Sequence, residues 1–350
     1  SVEGGETRWL DVPGDPREHY IAHMDWTADG TASGDAENAA KVVLQQFNRL
    51  QNTNRLLLAD AATGEVSTVM TETDAAWVEN SNAGFRWLDG GKKLVWLSER
   101  SGWRHAYAVS MADGAAKPIT HGAFDVIGIE AVDEKNGWLY YSASPDNATE
   151  KYLFRAKLDG PAMERVSPAD AQGTHDYSIS PDAKYAVHTF STFDTPPVTR
   201  MISLPDHQQV RMMSDNEELK KKLAKLQRAP MEFFRVDIGD GVALDGWCIK
   251  PPKLKKNQRY PVLFYVYGEP AGQTVLNRYM GRNYLWYLML AQQGYVVMSI
   301  DNRGTPAPRG REWRKSIYRR IGQLASADQA AATRRLVKER SYLDPERIAI

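Results

Sequence analysis

The sequence predicts two architectures in series: a partial β-propeller of about four blades, then an incomplete α/β sheet. Three observations predict this. Short strands with turn signals every 8–12 residues recur at a 40–50-residue period through residue 212. A polar helical stretch follows at Ser214. From Met231 onward, continuous apolar strands alternate with helical segments.

At 350 residues, the chain is long enough for about two domains and a large core. A content of 42% hydrophobic and 25% charged residues excludes a disordered or collagen-like chain. Lys+Arg and Asp+Glu balance at 44 each, so no global field points to nucleic acid as a partner. No apolar run approaches the ~20 residues of a helical membrane span, so none is expected in this segment. The single cysteine, Cys248, excludes an intrachain disulfide and a cysteine-based zinc cage. The first residues, Ser1-Val2-Glu3-Gly4-Gly5, show neither an initiator Met nor a charged-then-apolar leader. The last, Asp344 to Ile350, read as a turn followed by a strand only three or four residues long. A fragment cut at both ends is the expectation.

In the repeating region, 1–212, each unit reads as an aromatic-rich strand, a turn, a second strand, a longer turn and a strand ending at an Asp-Gly type tip. The tips fall at Asp60 to Gly64, Asp113-Gly114, Asp159-Gly160 and Pro205-Asp206. The second and third units show the alternation best, in Lys93–Ser98 with Ala106–Val109 and in Gly137–Ser142 with Tyr152–Ala156. The first unit is longer and carries a polar, Ala/Gly-rich insertion at Asp29 to Asn38. Four blades rarely close a ring, so further blades are expected upstream. His19 and His23 share one face of a strand, while His105, His121, His175 and His188 read as scattered over separate blades. None belongs to a helical His-Glu-x-x-His, so structural roles are assigned and no metal is expected.

Residues 213–230 read as a linker helix. Ser214 and Glu217 have the spacing of a capping box, Glu217–Lys221 and Glu218–Lys222 are i,i+4 pairs, and Pro230 ends the segment. Lys220-Lys221-Lys222 reads as a solvated helix face. Beyond it, strands are predicted at Glu232–Ile238, Ala243–Lys250, Tyr260–Tyr267, Tyr295–Asp301 and Arg347–Ile350, with helices near Tyr279–Gln292 and Asp328–Glu339. The runs Pro261–Val266 and Tyr295–Ile300 are apolar without alternation, as strands buried on both faces require. Two opening strands followed by βαβαβ describe the first half of an α/β-hydrolase sheet, here incomplete.

Four motifs in this order carry a family resemblance: Trp96 to His105; Val126-Ile127-Gly128-Ile129-Glu130 followed by Trp138 to Tyr141; Val266-Tyr267-Gly268-Glu269-Pro270; and Asp301-Asn302-Arg303-Gly304-Thr305 with Arg309-Gly310, Gly322 and Asp328-Gln329. Together they span almost the whole chain and resemble the prolyl oligopeptidase family, within it the dipeptidyl peptidase IV branch. The resemblance implies C-terminal propeller blades at 1–212. It implies the N-terminal half of a catalytic domain at 231–350, truncated before the nucleophile elbow. Tyr267 falls on the tyrosine whose hydroxyl binds the oxyanion of the tetrahedral intermediate, although a tyrosine that merely ends a buried strand would look the same. Asp301 and Arg303 stand at the carboxyl end of a sheet strand, where open α/β sheets place their sites, and are read as organising the site loop. Trp77 and Glu79 lie in a segment that relatives run close to substrate and are candidate pocket residues; the alternative is a blade edge with its Trp packed inward.

The family's chemistry needs a serine on a Gly-x-Ser-x-Gly elbow, then an Asp, then a His. No such elbow occurs in the 350 residues, so nucleophile, acid and base are expected beyond Ile350. The pair of acidic residues that grips a free amine is not recognisable either, and is expected upstream. The resemblance therefore implies a chain inactive by itself, whose parent is a serine exopeptidase acting by acyl-enzyme chemistry on short peptides. An oligopeptidase or acylaminoacyl peptidase, and a propeller–hydrolase binding protein that has lost its serine, remain open alternatives. No cofactor is implied. The partner expected is a peptide substrate, a homodimer is compatible with the family, and a periplasmic or secreted location follows from resemblance alone.

Overall fold

The computed structural model of the chain describes residues 7–27, 40–79, 85–229, 231–268 and 270–350. The predicted insertion at Asp29 to Asn38, together with Pro230 and Glu269, lies outside the described residues. Strands β1 (His19–Trp26), β2 (Lys41–Asn48), β3 (Thr53–Asp60) and β4 (Val66–Thr73) form one four-stranded antiparallel sheet. β5 (Arg86–Leu88), β6 (Lys93–Ser98), β7 (His105–Ser110) and β8 (Ala116–Pro118) form a second. β9 (Val126–Asp133), β10 (Trp138–Ala143), β11 (Tyr152–Lys157) and β12 (Met163–Arg165) make the third. β13 (Thr174–Ile179), β14 (Tyr185–Ser191), β15 (Val198–Ser203) and β16 (Gln209–Ser214) make the fourth. Four such sheets in chain order are the blades of a partial propeller.

Each predicted tip joins the third strand of a sheet to its fourth. Asp suits these turns because its carboxylate accepts backbone N–H groups: Asp60 Oδ1 holds Ala62 and Thr63 at 2.7 and 2.9 Å. The fourth strands had no counterpart in the three-strand plan read from the sequence. β8 and β12 are three residues each, too short to display alternation.

Two compact units result: Ser1–Gly122 with Glu134–Trp138 and Lys157–Pro161, and Ala123–Asp133 with Leu139–Ala156 and Ala162–Ile350. In the first, Val43, Leu56, Leu94, Trp96 and Val109 form a core with no solvent exposure. Trp96 donates its indole N–H to Glu72 at 2.6 Å.

The second unit contains helices α1 (Glu217–Ala224), α2 (Arg282–Gln292), α3 (Gly310–Lys315) and α4 (Gln323–Glu339) and a five-stranded sheet. Its strands β17 (Glu232–Asp237), β18 (Ala243–Ile249), β19 (Tyr260–Tyr265), β20 (Val296–Ile300) and β21 (Leu343–Ala349) lie in the order β17-β18-β20-β19-β21. β17, β18 and β20 are antiparallel neighbours, whereas β19 runs parallel to both β20 and β21. β20 is buried on both faces, as its unbroken apolar run requires. β19, predicted likewise, alternates instead, burying Tyr260, Val262 and Phe264 while Pro261 and Leu263 stay half-buried and Tyr265 is exposed. Leu244, Cys248, Val296, Met298 and Ile300 face α4 through Ala332 and Leu336. Trp247, Ile249 and Val297 face α2 through Tyr284, Tyr287, Leu288 and Ala291.

Two sequence readings are corrected. Ser214 opens no capping box: it pairs with Thr199 as the last residue of β16, and α1 starts after a left-handed Asn216 without a side-chain cap. The sheet ladder claims Ser214 first, and Glu217 pairs with Lys220, one turn position short of Lys221. The histidines are not all scattered either. His175 and His188 lie on neighbouring strands of the fourth sheet, His175 Nδ1 2.9 Å from His188 Nε2, with stacked rings. The Ala171 carbonyl, 2.9 Å from His175 Nε2, can only accept. His175 is therefore protonated at Nε2, and His188 donates to its bare Nδ1.

A buried ion pair ties the third sheet's lead-in to α3. Asp125, fully buried, accepts from Gly310 N at 2.7 Å and from Arg314 at 2.5 and 3.2 Å. Removing one partner of such a pair costs about 3–5 kcal/mol because the other charge stays desolvated. Asp125→Ala should lower unfolding free energy by about that amount in urea melts, and Asp125→Ala/Arg314→Met should recover part of it; a neutral single variant would show that the pair holds nothing.

Burial pushes His175 down to about 4 and His188 down to about 2 from an ordinary 6.5. The unfolded chain thus takes up protons first, and stability falls as pH drops below 6.5. Between pH 6.5 and 5.5 the loss should be roughly 1 kcal/mol per histidine. A His175→Phe/His188→Phe variant should show a urea midpoint that varies less with pH over this range; equal dependence in both proteins would absolve the histidines.

Candidate active site

β19 ends at Tyr265, and Val266-Tyr267-Gly268 leave the sheet at the carboxyl end of a parallel strand. Tyr267 is 49% exposed, and among the described residues its hydroxyl meets no hydrogen-bond partner. Gly268 turns the chain with φ +75°, a left-handed conformation that disfavours a side chain. The Tyr267 ring lies over Gly272, where an added Cβ would come within 2.5–2.7 Å of three ring carbons.

The stretch from Gln273 to Tyr279 belongs to no strand or helix and is fastened by side chains. Asp301, 3% exposed, accepts from Thr274 N at 2.9 Å, Thr274 Oγ1 at 2.8 Å and Val275 N at 3.0 Å. Burial nevertheless pushes its carboxyl up to about 6. Trp247 Nε1 holds the Thr274 carbonyl at 3.1 Å from inside the sheet. Asn277 joins residues of the third and fourth sheets and their loops: its N–H bonds Thr149 O, its amide N bonds Glu150, and its two oxygens accept from Thr174 Oγ1 and Phe193 N, all at 2.7–3.0 Å.

Arg303 and Asp328 form a bidentate pair at 2.7 and 3.0 Å, and Asp328 also accepts the Arg303 N–H. This fixes the loop after β20 to α4 and holds the guanidinium above its usual value. Asp301 and Arg303 thus stand two residues apart but brace different segments. Between them Asn302, which sequence reasoning passed over, is fully buried; its amide donates to Gly268 O at 3.3 Å and Arg303 O at 2.7 Å. Gln329 bonds Asn302 Oδ1 at 3.1 Å and Ile300 O at 2.8 Å. The only sequence signal for either was membership in the Asp-Asn-Arg and Asp-Gln motifs. Short α3 was also missed; its six residues carry no periodicity to read.

Trp77 and Glu79 belong to the other compact unit and are bonded to each other, indole N–H to carboxylate at 2.8 Å, both half-buried. Cys248 is no nucleophile at neutral pH, since burial pushes its thiol up to about 12. Among the described residues, no group of three or more His, Cys, Asp or Glu side chains is arranged to hold a metal ion. No helix of the described residues is long and apolar enough to cross a membrane. The chemistry on offer is a phenolic donor on a braced turn, in a sequence without a Gly-x-Ser-x-Gly nucleophile.

Blades followed by a sheet with helices on both faces and a tyrosine turn at its carboxyl edge define a propeller–hydrolase protein. The dipeptidyl peptidase IV N-terminal region model matches residues 1–197 and the prolyl oligopeptidase family model matches 283–350. The chain belongs to the dipeptidyl peptidase IV branch of the prolyl oligopeptidase family. It is 27% identical over 347 residues to the "Probable dipeptidyl peptidase 4" of Emericella nidulans, covering 96% of this chain and 43% of that one. The dipeptidyl peptidase 4 of Trichophyton equinum is 25% identical, with 94% and 42% covered. The crystal structure of Porphyromonas gingivalis dipeptidyl peptidase 4 superposes with a TM-score of 0.86 at 27% identity, over 97% of this chain and 46% of that one. The chain spans less than half the length of each.

Gly272→Ala should displace the Tyr267 ring rather than disturb the core, because the ring is half exposed. The ring signals of Tyr267 in ¹³C-tyrosine-labelled protein would report it; unmoved signals would show that the ring does not rest on Gly272.

Proposed function

We propose that this chain forms part of a serine-type dipeptidyl peptidase, in which Tyr267 is the side-chain donor of the oxyanion hole. The observation that carries the reading is the Tyr267 turn: an exposed phenol with no hydrogen-bond partner among the described residues, at the carboxyl edge of the parallel strands, on a turn whose Gly268 carbonyl the buried Asn302 holds. A donor held in place before the reaction stabilises developing charge without reorganising, an effect of about 2.7–4 kcal/mol for one oxyanion-hole donor. In this reading a serine outside these 350 residues attacks the peptide carbonyl, and the oxygen takes up negative charge facing the Tyr267 hydroxyl. A histidine moves the proton from serine to leaving amine, so an acyl-enzyme forms as the amine departs, and water then releases the acyl group. Asp301 and Arg303 organise the loop and touch no substrate. Trp77 and Glu79 are assigned to peptide binding, as an aromatic surface and a carboxylate that orient each other. Short peptides with a free amino terminus are the substrate class. A periplasmic or secreted location and a homodimer complete the proposal, on family membership alone.

Tyr267→Phe in the full-length protein should lower kcat on an N-terminal dipeptide anilide by roughly 100-fold with KM nearly unchanged. An unaltered kcat would remove Tyr267 from the mechanism. Trp77→Ala should instead raise KM and leave kcat close to its starting value; the reverse split would take Trp77 out of substrate binding.

A further inference from the structure

We propose that Asn302 is a positioning residue for Tyr267, setting where the phenol points by holding the carbonyl of the residue after it. The inference rests on the reading of Tyr267 as the oxyanion donor. The turn at Val266-Tyr267-Gly268 lies beyond the last paired residue of β19, so no sheet ladder fixes it. Its Gly268 carbonyl accepts from Asn302 Nδ2 at 3.3 Å. That amide is itself immobilised on every side. It donates to Arg303 O at 2.7 Å, its oxygen accepts from Gln329 Nε2 at 3.1 Å, and Gln329 is anchored on the Ile300 carbonyl at 2.8 Å. Asn302 is 0% exposed and Gln329 5% exposed, so water does not substitute easily for either. The contact is close: a Cβ on Gly268 would sit 3.5 Å from Asn302 Oδ1. Helix α4 and the end of β20 thereby define the height of the turn, and Tyr267 is the first side chain above it. A shift near 1 Å at a reacting group costs up to about two orders of magnitude in rate, so a strut of this kind affects kcat without meeting substrate.

The test is a double-mutant cycle in the full-length protein, read with an N-terminal dipeptide anilide. Asn302→Ala should lower kcat about tenfold with KM within about twofold. In the Tyr267→Phe background the same change should have little further effect, because the hydroxyl it positions is gone. Additive losses, or an unchanged kcat in folded Asn302→Ala, would overturn the proposal. Asn302→Ser, which keeps a donor but cannot span to Gly268, gives the same comparison should the alanine variant fold poorly. Tyr267→Phe with full activity would sink the oxyanion reading instead. The ¹³C ring signal of Tyr267 then decides the link: displacement in Asn302→Ala supports it, and an unmoved signal overturns it.

Discussion

The Asp301 carboxylate is the constraint on which the hydrolase-side loops depend. It sits where β20 leaves the sheet, deprived of water, and it is saturated by two backbone N–H groups and a hydroxyl from Thr274 and Val275. A carboxyl buried this deeply favours its neutral form, and the same three donors favour the charged one. The balance ties the protonation of one side chain to the path of an irregular segment sixteen residues long, between the end of β19 and the start of α2.

Three consecutive residues divide the bracing. Asp301 holds the 274–275 backbone, Asn302 holds Gly268, and Arg303 reaches α4 through Asp328. Such a division is available only at the end of a strand, where the pleat gives way and neighbouring side chains can diverge. The glycine at 304, with φ +90°, lets the chain turn away immediately afterwards toward α3 and its buried pair with Asp125. The exposed tyrosine therefore rests on a loop that side chains, not a sheet ladder, fasten to α4 and to the end of β20.

Much of this architecture was legible in the sequence. The inner blade strands and β18 and β20 of the sheet announce themselves, because burying one face imposes alternation and burying both imposes unbroken apolar runs; β21 is mostly exposed and starts at Leu343, through residues that read as a turn. What failed was local chemistry decided by tertiary competition. Ser214 and Glu217 have the spacing of a cap, but strand pairing with Thr199 reaches Ser214 first. His175 and His188 look unrelated at thirteen residues apart until β13 and β14 pair and bring their rings together. Asn302 was hidden for the same reason: one asparagine in a loop says nothing until Gly268 and Gln329, 34 and 27 residues away, close on it.

Asn277 uses all four of its backbone and side-chain polar groups, and its partners lie in loops of the third and fourth sheets and at the start of β13. A boundary drawn at the linker helix looks like a convenient place to exchange blades between homologues. It is not a clean seam. A chimera that brings in foreign blades also replaces Thr149, Glu150, Thr174 and Phe193, and leaves the half-buried Asn277 with four polar groups to match. The unit of inheritance for recombination is therefore the sheet loop together with the blade loops it is sewn to, and divergence at one side of that seam has to be tracked by the other.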